Sequence, residues 1–320
     1  MDTTTPIRCA VVGVGHLGRF HAEKYARIPG ARLVAVVDVD EARAKEIASI
    51  HGCEALTDHR ALAGGADAAS VAVPTVAHHR VAMDLLGAGV DVLVEKPIAC
   101  TLAEADDLVS LAEERRAILQ VGHVERFNQA LVALGSRIHS PRFIESHRLG
   151  TFTGRATDVD VVLDLMIHDL DIIATLVQSD LATVEAVGVP ILSEQADIAN
   201  ARVKFANGCI ANITASRVSM NPVRKIRLFQ SDAYISIDFQ SSRIQIFRLD
   251  RSGPQPEIAA EEIDIEKGDA LEAEIRAFVD CVRTRERPLV SGVEGRTALA
   301  MAERVREALE ESIRTLQIET

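Results

Sequence analysis

The stretch GVGHLGRFHAEKYARI at residues 13–28 follows the apolar run IRCAVV at residues 7–12 and precedes a second apolar run, LVAVV, at residues 33–37. The second run ends on Asp38, twenty residues after Gly18, the last glycine of the GVGHLG segment. This order predicts a strand, a tight glycine turn, a helix and a second parallel strand with an acidic residue at its tip. A helix N-terminus offers free amide donors and positive potential to phosphate groups. The N-terminal part of the chain is therefore predicted to bind a dinucleotide.

Each glycine of this turn has its own predicted role. Gly13 permits the tight turn, Gly15 lets the backbone approach a pyrophosphate, and Gly18 lets the helix pack closely on the strand. Asp38 is predicted to accept hydrogen bonds from the ribose hydroxyls and to repel a 2′-phosphate, which favours NAD over NADP. The alternative is a glycine-rich turn without a ligand. The predicted cofactor contacts here are Gly13, Gly15, His16, Leu17, Gly18 and Asp38.

Composition limits the classes of protein to which this chain can belong. Its 320 residues suit about two domains, and 48% apolar with 26% charged residues is ordinary for a soluble protein. The net charge of −12 argues against a nucleic-acid or anionic-membrane partner, which needs a basic surface. The five cysteines form no Cys-x-x-Cys pair, and no apolar stretch reaches the roughly 20 residues that span a bilayer. We expect a cytoplasmic protein without a signal peptide.

The fold class is predicted to be α/β. Strand and helix patterns alternate from residue 7 to about Val121, which predicts a doubly wound parallel sheet of the Rossmann type over residues 1–122. Beyond that point strand-like runs follow one another, and Asn207-Gly208 predicts a hairpin turn. Residues 123–292 are therefore predicted to form an α+β domain built on a mostly antiparallel open sheet. A closing helix within 293–320 is a candidate to pack back on the first domain.

The tripeptide Glu95-Lys96-Pro97 follows the strand pattern DVLV at residues 91–94. Ligands of open α/β sheets bind at the carboxyl ends of the strands, so Lys96 is predicted to lie beside the nicotinamide. There a lysine can stabilise a developing alkoxide or accept a proton. The alternative is a solvated surface lysine at a strand end.

The segment VVLDLMIHDLDII at residues 161–173 has the apolar content of a buried helix but carries Asp164, His168 and Asp171. Spacings of four and three residues place these three on one helix face. A carboxylate one turn from an imidazole can hold its tautomer and stabilise the imidazolium, as a general base that removes a hydroxyl proton requires. The alternative is a polar stripe that faces solvent or a structural Asp–His hydrogen bond.

Four motifs occur in register along the chain: the glycine turn, Pro74-Thr75 with His78, Glu95-Lys96-Pro97, and Asp164 with His168. Over essentially the whole chain they resemble the glucose-fructose oxidoreductase / inositol dehydrogenase / MocA (Gfo/Idh/MocA) family. The resemblance implies a Rossmann domain and an α/β domain with a large open sheet, whose exposed face makes a homodimer or homotetramer interface. It implies that Lys96 is the catalytic lysine and that Asp164 and His168 are the catalytic aspartate and histidine. The further cofactor contacts that it implies are Pro74, Thr75, His78, Glu95 and Lys96.

Within this family, the segment VGHVERFN at residues 121–128 and the stretch DVD at residues 158–160 resemble one branch. That branch oxidises the 3-hydroxyl of UDP-N-acetylglucosamine for the 2,3-diamino sugars of lipid A. The resemblance implies a UDP-sugar substrate and donors to it from Arg126 and Asn128, with Asp164 and His168 also touching the sugar. Gln129 stands where many relatives have proline, and we expect this to alter only a helix start. Candidates for diphosphate contacts, each with a solvated surface charge as its alternative, are Arg148, Arg155, Arg224, Lys225 and Arg227.

Three other functions are open on this sequence. A sibling dehydrogenase for inositol, a free hexose or another nucleotide sugar would keep the same three catalytic residues. A non-enzymatic NAD-dependent regulator would be expected to have lost Lys96 or His168, and both are present. A metal enzyme is conceivable, with ligands from His147, Asp164, His168 and Asp171. No His-Glu-x-x-His motif or cysteine cluster supports that third function, so we expect no metal.

Overall fold

The computed structural model describes residues 5–152, 159–252 and 255–318, and the chain divides into two compact units. The first unit comprises residues 1–127 and 269–296, and the second comprises residues 128–268 and 297–320. Among the described residues, no helix is both long and apolar enough to span a membrane.

The first unit is built on a parallel sheet of six strands, within the described residues, in the order β3-β2-β1-β4-β5-β6. Its central strands β4 and β5 are buried along their whole length, as expected where helices cover both faces of a parallel sheet. The order changes direction beside β1, which makes the switch point of a doubly wound fold. The predicted Rossmann-type sheet is therefore confirmed. The strands are β1 (Ile7–Val12), β2 (Ala31–Val37), β3 (Glu54–Leu56), β4 (Ala68–Val71), β5 (Asp91–Glu95) and β6 (Leu119–Gly122).

Helices of the first unit begin at side chains that cap them. The side chain of Asp40 accepts hydrogen bonds from the backbone amides of Ala42 and Arg43. Thr101 and Glu104 form the predicted capping box, in which each side chain accepts from the other residue's amide. These local signals set the helix starts without help from distant residues. The helices are α1 (Gly18–Arg27), α2 (Glu41–His51), α3 (His78–Gly87) and α4 (Leu102–Arg115).

The second unit is built on a sheet of eight strands, within the described residues, in the order β14-β13-β12-β11-β7-β10-β9-β8. Neighbouring strands are antiparallel except β7 and β10, which are parallel. The predicted hairpin turn is present, since Gly208 has a φ of +86° and donates its amide to the carbonyl of Phe205. The strands are β7 (Phe143–Leu149), β8 (Leu181–Val189), β9 (Ile198–Phe205), β10 (Ile210–Ser216), β11 (Val223–Phe229), β12 (Tyr234–Asp238), β13 (Arg243–Asp250) and β14 (Glu257–Asp264).

One face of this sheet carries the core of the second unit. Along β7 buried and half-buried residues alternate, and Ile144 is one of the buried ones. Two helices, α5 (Gln129–Leu134) and α6 (Ile167–Val177), contribute apolar side chains to the same core cluster. The side chains of α6 there include Ile167, Leu170 and Ile173. The strand alternation thus leaves the other sheet face half-buried.

The chain returns to the first unit near its C-terminal end. Helix α7 (Ala270–Thr284) places Ile275, Phe278 and Val279 in one core cluster with Tyr25 of α1. The last helix, α8 (Gly292–Ile318), belongs to the first unit up to residue 296 and to the second from residue 297. The sequence predicts boundaries at 122 and 292 with a returning helix over 293–320. The structure differs, because the apolar face of α7 completes the core of the first unit.

Candidate active site

The glycine turn brings helix α1 directly onto the end of β1. Gly13 has a φ of +84°, and a Cβ there would lie 2.7 Å from the carbonyl oxygen of Ala72. A Cβ on Gly18 would lie 1.7 Å from the carbonyl oxygen of Gly13, so no side chain fits there. A Cβ on Gly15 would meet only a guanidinium nitrogen of Arg43, at 4.0 Å. Two glycines therefore make the turn possible, and the third leaves open space that fits a pyrophosphate.

Asp38 lies at the end of β2 with its carboxylate already held by the backbone. Its Oδ2 accepts a hydrogen bond from the amide of Val14 at 2.9 Å, and its Oδ1 accepts from the amide of Asp40 at 3.0 Å. The residue is 8% exposed. Next to the turn, His16 and Leu17 are exposed. A carboxylate fixed in this way at the strand tip fits the ribose end of a dinucleotide.

Arg43 is a residue of this site that the sequence analysis missed. Its guanidinium lies 3.9 Å from Oδ2 of Asp38 and beside the space in front of Gly15. The signal that could have found it is the helix cap, because Asp40 starts α2 and so places Arg43 in the first helical turn. Arg43 therefore adds a cation to the region of the predicted ribose contact.

Past the end of β4, Pro74 precedes a short 3₁₀ turn, Thr75–Ala77, and α3 begins at His78. Nδ1 of His78 lies 2.8 Å from the carbonyl oxygen of Pro97, and its Nε2 lies 2.9 Å from that of Val73. Burial lowers the pKa of His78. Both ring nitrogens thus face backbone carbonyls, and the residue joins the segments after β4 and β5. His78 shapes the predicted cofactor site by holding its backbone.

Lys96 follows directly after β5, at the carboxyl edge of the first sheet. It is half-buried between two buried residues, Glu95 and Pro97, and its peptide bond to Pro97 is cis. Nε2 of His21 donates a hydrogen bond to Oε1 of Glu95 at 2.9 Å. Burial alone would raise the pKa of Glu95, but this bond and the charges of His21 and Lys96 hold it below its ordinary value. Lys96 thus has an ionised carboxylate as its neighbour in the chain.

In the second unit, the segment with Asp164 and His168 is not helical in the way its spacing predicts. A π-helical turn, Val162–Met166, precedes α6, so Asp164 lies in the π turn and His168 in the first turn of α6. Both are half-buried, whereas Asp171 is only 2% exposed. The predicted exposed stripe of three polar residues is thus incomplete. A π turn inside a helix is rare and is frequent at functional sites.

Asp160 anchors the start of the π turn. Its Oδ1 accepts hydrogen bonds from the amides of Val162 and Leu163, each at 3.0 Å. Its Oδ2 accepts a bond from Nε of Arg306 at 2.7 Å. The resembling stretch at residues 158–160 therefore includes the side chain that caps the turn of Asp164. Residue 158 and the predicted substrate contact Arg155 lie outside the described residues.

Arg148 is not an available diphosphate contact in this structure. It lies on the buried face of β7, where its guanidinium makes a two-pronged ion pair with Asp169 at 2.9 and 3.0 Å. The two residues are 4% and 2% exposed. The sequence assigns Arg148 to a substrate or to solvent because its strand position was not resolved. The pair instead holds α6, which carries His168, against the central strand of the sheet.

The other candidate diphosphate contacts are on the sheet surface. Arg227 pairs with Glu145 on the neighbouring strand at 2.9 Å, so part of its charge is already neutralised. Arg224 is exposed and Lys225 is half-buried. These residues and their positions neither place a diphosphate nor exclude one.

Arg126 and Asn128 fall on the two sides of the division between the units. Arg126 is half-buried in a 3₁₀ turn, Val124–Phe127, that follows β6. Asn128 caps α5, because its Oδ1 accepts a hydrogen bond from the amide of Ala130 at 3.0 Å. Gln129 is the first residue of that helix, where proline is also well tolerated. The departure at Gln129 thus falls at a helix start, as the sequence predicts.

No group of three histidine, cysteine, aspartate or glutamate side chains suited to a metal ion occurs in the part of the chain that the structure describes. The site is therefore characterised by a glycine turn, a strand-tip carboxylate, a lysine after β5 and a partly exposed histidine near an aspartate. A nicotinamide cofactor fits the first three features.

Comparison with known proteins identifies relatives along the whole chain. Residues 7–123 match the model of an oxidoreductase family with an NAD-binding Rossmann fold, and residues 131–236 match the GFO/IDH/MocA C-terminal domain. UDP-N-acetylglucosamine 3-dehydrogenase of Acidithiobacillus ferrooxidans is 41% identical over 308 residues, which are 95% of this chain and 97% of that protein. A solved structure of that dehydrogenase superposes with a TM-score of 0.90 at 40% identity, covering 96% and 99% of the two chains.

More distant relatives act on cyclic polyols. The scyllo-inositol 2-dehydrogenase (NAD(+)) of Bacillus subtilis is 27% identical and covers 90% of each chain. The structure of scyllo-inositol dehydrogenase from Lactobacillus casei with bound NAD(H) and scyllo-inositol has a TM-score of 0.81 at 20% identity, over 96% and 98% of the chains, and shares the fold. Together with the family models, these relatives show an oxidoreductase with a nicotinamide cofactor. The chain belongs to the Gfo/Idh/MocA family.

Proposed function

We propose that this enzyme oxidises the 3-hydroxyl of UDP-N-acetylglucosamine to the 3-keto sugar, with NAD⁺ as the oxidant. The observation that carries the proposal is the 41% identity to a UDP-N-acetylglucosamine 3-dehydrogenase over nearly the full length of both proteins. The polyol dehydrogenases among the relatives are less similar, at 27% identity. The reaction removes a hydride and a proton from the alcohol, so one group must take each.

Asp38 supports NAD rather than NADP as the cofactor. Its carboxylate is fixed by two backbone amides at the tip of β2, which is where ribose hydroxyls are bound in this fold. A 2′-phosphate there would face the negative charge of Asp38 at close range. Arg43 lies 3.9 Å away and partly balances that charge, but the carboxylate is the better-held group. We therefore assign the hydroxylated ribose to this site.

The two units supply different parts of the proposed chemistry. The bound nicotinamide supplies the hydride acceptor. His168, oriented by Asp164, takes the proton of the sugar hydroxyl. Lys96 stabilises negative charge that develops on the sugar oxygen, and the ionised Glu95 beside it favours a cationic role over that of a base. This division of labour resolves the exchange of roles that the sequence leaves open.

The substrate assignment is tested with purified protein, NAD⁺ and a panel of alcohols. We expect NADH absorbance to rise with UDP-N-acetylglucosamine and to stay at the blank rate with myo-inositol, scyllo-inositol and glucose. Mass spectrometry should show a product lighter by two hydrogens. If an inositol or a free hexose gives the faster reaction, the enzyme is a sibling dehydrogenase. If no alcohol yields NADH, the regulator function takes its place.

The proposed product has a ketone beside the N-acetylated carbon, which a transaminase can convert to an amine. We therefore place the enzyme in the cytoplasmic synthesis of 2,3-diamino sugars for lipid A. The test is a coupled assay in which a UDP-3-keto-sugar aminotransferase with glutamate draws the oxidation forward. Without an effect of the aminotransferase on the yield of NADH, that place in the sequence of reactions is refuted.

We also propose that the free face of the second sheet joins copies of this chain into a dimer or tetramer. Four aromatic rings cross that face on neighbouring strands, with centroid separations of 5.5, 5.0 and 5.7 Å. Half-buried aromatic side chains are enriched at protein interfaces. The rings are Phe143, Phe229, Tyr234 and Phe247. Sedimentation of the protein and of Phe229→Glu tests this, and a wild-type monomer would refute it.

A further inference from the structure

A chain of buried polar side chains runs from α1 to the end of β5 in the first unit. The hydroxyl of Tyr25 lies 2.8 Å from Oγ of Ser70, and this Oγ lies 3.0 Å from Nδ1 of His21. Nε2 of His21 lies 2.9 Å from Oε1 of Glu95. Tyr25, Ser70 and His21 have no exposed surface. Burying four polar groups destabilises a fold unless each has partners, so the chain of bonds holds Glu95 firmly.

We propose that this buried chain is a positioning device for Lys96, with His21 as its central residue. The proposal rests on the role of Lys96 in the proposed function. The pairing of β4 with β5 ends at Val71 and Val94, whereas β6 still pairs with Glu95. On the β4 side, Glu95 therefore lies beyond the strand ladder. The bond from His21 holds the residue where the ladder no longer does.

The backbone on the other side of Lys96 is held in the same manner. The carbonyl oxygen of Pro97 lies 2.8 Å from Nδ1 of His78, and the His78 ring is buried. Lys96 is thus a half-buried residue between two neighbours that are each tied to a buried histidine. A reacting group held on both sides loses little freedom when the substrate binds, and small displacements of such a group lower turnover steeply.

Gly122 provides a second, independent sign that the place of Glu95 is specified. A Cβ on Gly122 would lie 2.9 Å from Oε2 and 3.0 Å from Cδ of Glu95. The carboxylate thus occupies the space of the missing side chain on β6. Since the contact includes the carboxyl carbon as well as the terminal oxygen, an alanine at 122 would push the whole carboxylate away from His21.

The charged and titratable groups that face Glu95 come from several elements. His21 of α1, His78 of α3 and Lys96 all favour its ionised form. Glu274 of α7 has no exposed surface, and its carboxyl oxygens have no hydrogen-bond partner among the described residues. Burial and the charge of Glu95 raise the pKa of Glu274, so it stays protonated. The single negative charge of the pair therefore lies on Glu95, next to Lys96 in the chain.

The proposal is tested with His21→Leu and His21→Gln. Leucine has no donor for Glu95, whereas the glutamine amide reaches roughly as far as Nε2 of histidine and can donate. We expect His21→Leu to lower kcat about tenfold or more while the KM for NAD⁺ stays within about twofold. Without its donor Glu95 takes up a proton, so the alkaline limb of the pH–kcat profile should move to lower pH. His21→Gln should recover most of the lost turnover and the original profile.

His59→Leu is the matched control. His59 also makes a 2.9 Å bond to a carboxylate, that of Asp84, on the surface of the same unit. Its loss should leave kcat and the pH profile unchanged. NADH fluorescence titration and thermal unfolding of each variant show whether the fold and the cofactor site remain. If His21→Leu does not fold, Ser70→Ala, which removes the group that holds Nδ1, replaces it and should give a smaller change in the same direction.

Lys96→Ala, assayed in parallel, separates the two proposals. If Lys96→Ala keeps its turnover, the role of Lys96 fails and the positioning role fails with it. If Lys96→Ala loses turnover but the folded His21→Leu or Ser70→Ala keeps the wild-type kcat and pH profile, only the positioning role is overturned. An equal loss in His21→Leu and His21→Gln, without a shift in the profile, also overturns it, since that indicates a packing effect.

Discussion

The guanidinium of Arg43 lies 3.9 Å from the carboxylate of Asp38, so both charges that discriminate between NAD and NADP occur in one site. The carboxylate is fixed by the amides of Val14 and Asp40, and Arg43 is about half-exposed on α2. The aspartate repels a 2′-phosphate and the arginine attracts one. The cofactor preference therefore depends on the balance between two neighbouring residues.

Removal of Asp38 should shift the cofactor preference. In Asp38→Ala we expect kcat/KM for NAD⁺ to fall by on the order of a hundredfold and kcat/KM for NADP⁺ to rise, because Arg43 remains to bind the 2′-phosphate. Initial rates with each cofactor provide the measurement. The double variant Asp38→Ala/Arg43→Ala is the control and should lose the gain with NADP⁺. An Asp38→Ala enzyme with unchanged preference would show that the ribose is bound elsewhere.

Substitution of the two proposed catalytic residues should affect turnover and spare the cofactor. We expect Lys96→Ala and His168→Ala each to lower kcat by on the order of a hundredfold or more, since each removes a group that acts in the transition state. NADH binding, followed by fluorescence, should stay within about threefold, because the glycine turn is untouched. Near wild-type turnover in both variants would contradict the mechanism. Unchanged rates after chelator treatment are expected as well.

The buried pair between Arg148 and Asp169 should matter for stability. Arg148→Met leaves the Asp169 carboxylate buried without its partner, which we expect to lower the free energy of unfolding by about 3–5 kcal/mol. Arg148→Met/Asp169→Leu should recover much of that loss. The matched control is Arg227→Ala, which breaks the partly exposed pair with Glu145 and should cost less than about 1 kcal/mol. Urea unfolding measures all three, and equal losses in the two single variants would refute the distinction.

Glu274→Gln should stabilise the protein in a pH-dependent manner. The pKa of Glu274 is raised well above the ordinary 4.5 in the folded protein. As the pH rises past that ordinary value, the carboxyl ionises in the unfolded chain but stays protonated in the folded one, so wild-type stability falls. The glutamine variant lacks this loss, and its advantage should grow with pH until the folded carboxyl also ionises. Below the ordinary value the two proteins should differ little.

Thermal melts over a pH series measure that difference. Glu272→Gln on the same helix is the control, because Glu272 is partly exposed in the first turn of α7 and pairs with Arg276. It should be slightly destabilising, by less than about 1 kcal/mol. A destabilised Glu274→Gln at neutral pH would show that the buried carboxyl is ionised.

Features of this protein that depend on short stretches of chain follow from sequence. The glycine turn, the carboxylate at the tip of β2 and the capping box of Thr101 and Glu104 are all encoded within a few residues. The hairpin at Asn207-Gly208 is another example, since its positive φ requires a glycine or a similar residue. Strand β14 escaped prediction because its sequence, EIAAEEID, is acidic and largely exposed and lacks the alternation of a half-buried strand.

Features that depend on which distant groups meet were decided by the tertiary structure. Arg148 became a buried partner of Asp169, α7 joined the core of the first unit, and His21 met Glu95 across 74 residues. The π turn at Asp164 is local in sequence, but its spacing is compatible with an ordinary helix, and the cap from Asp160 and Arg306 selects it. Periodicity and turn chemistry act between near neighbours and are visible in the sequence. The partner of a buried charge depends on packing, which the linear order does not reveal.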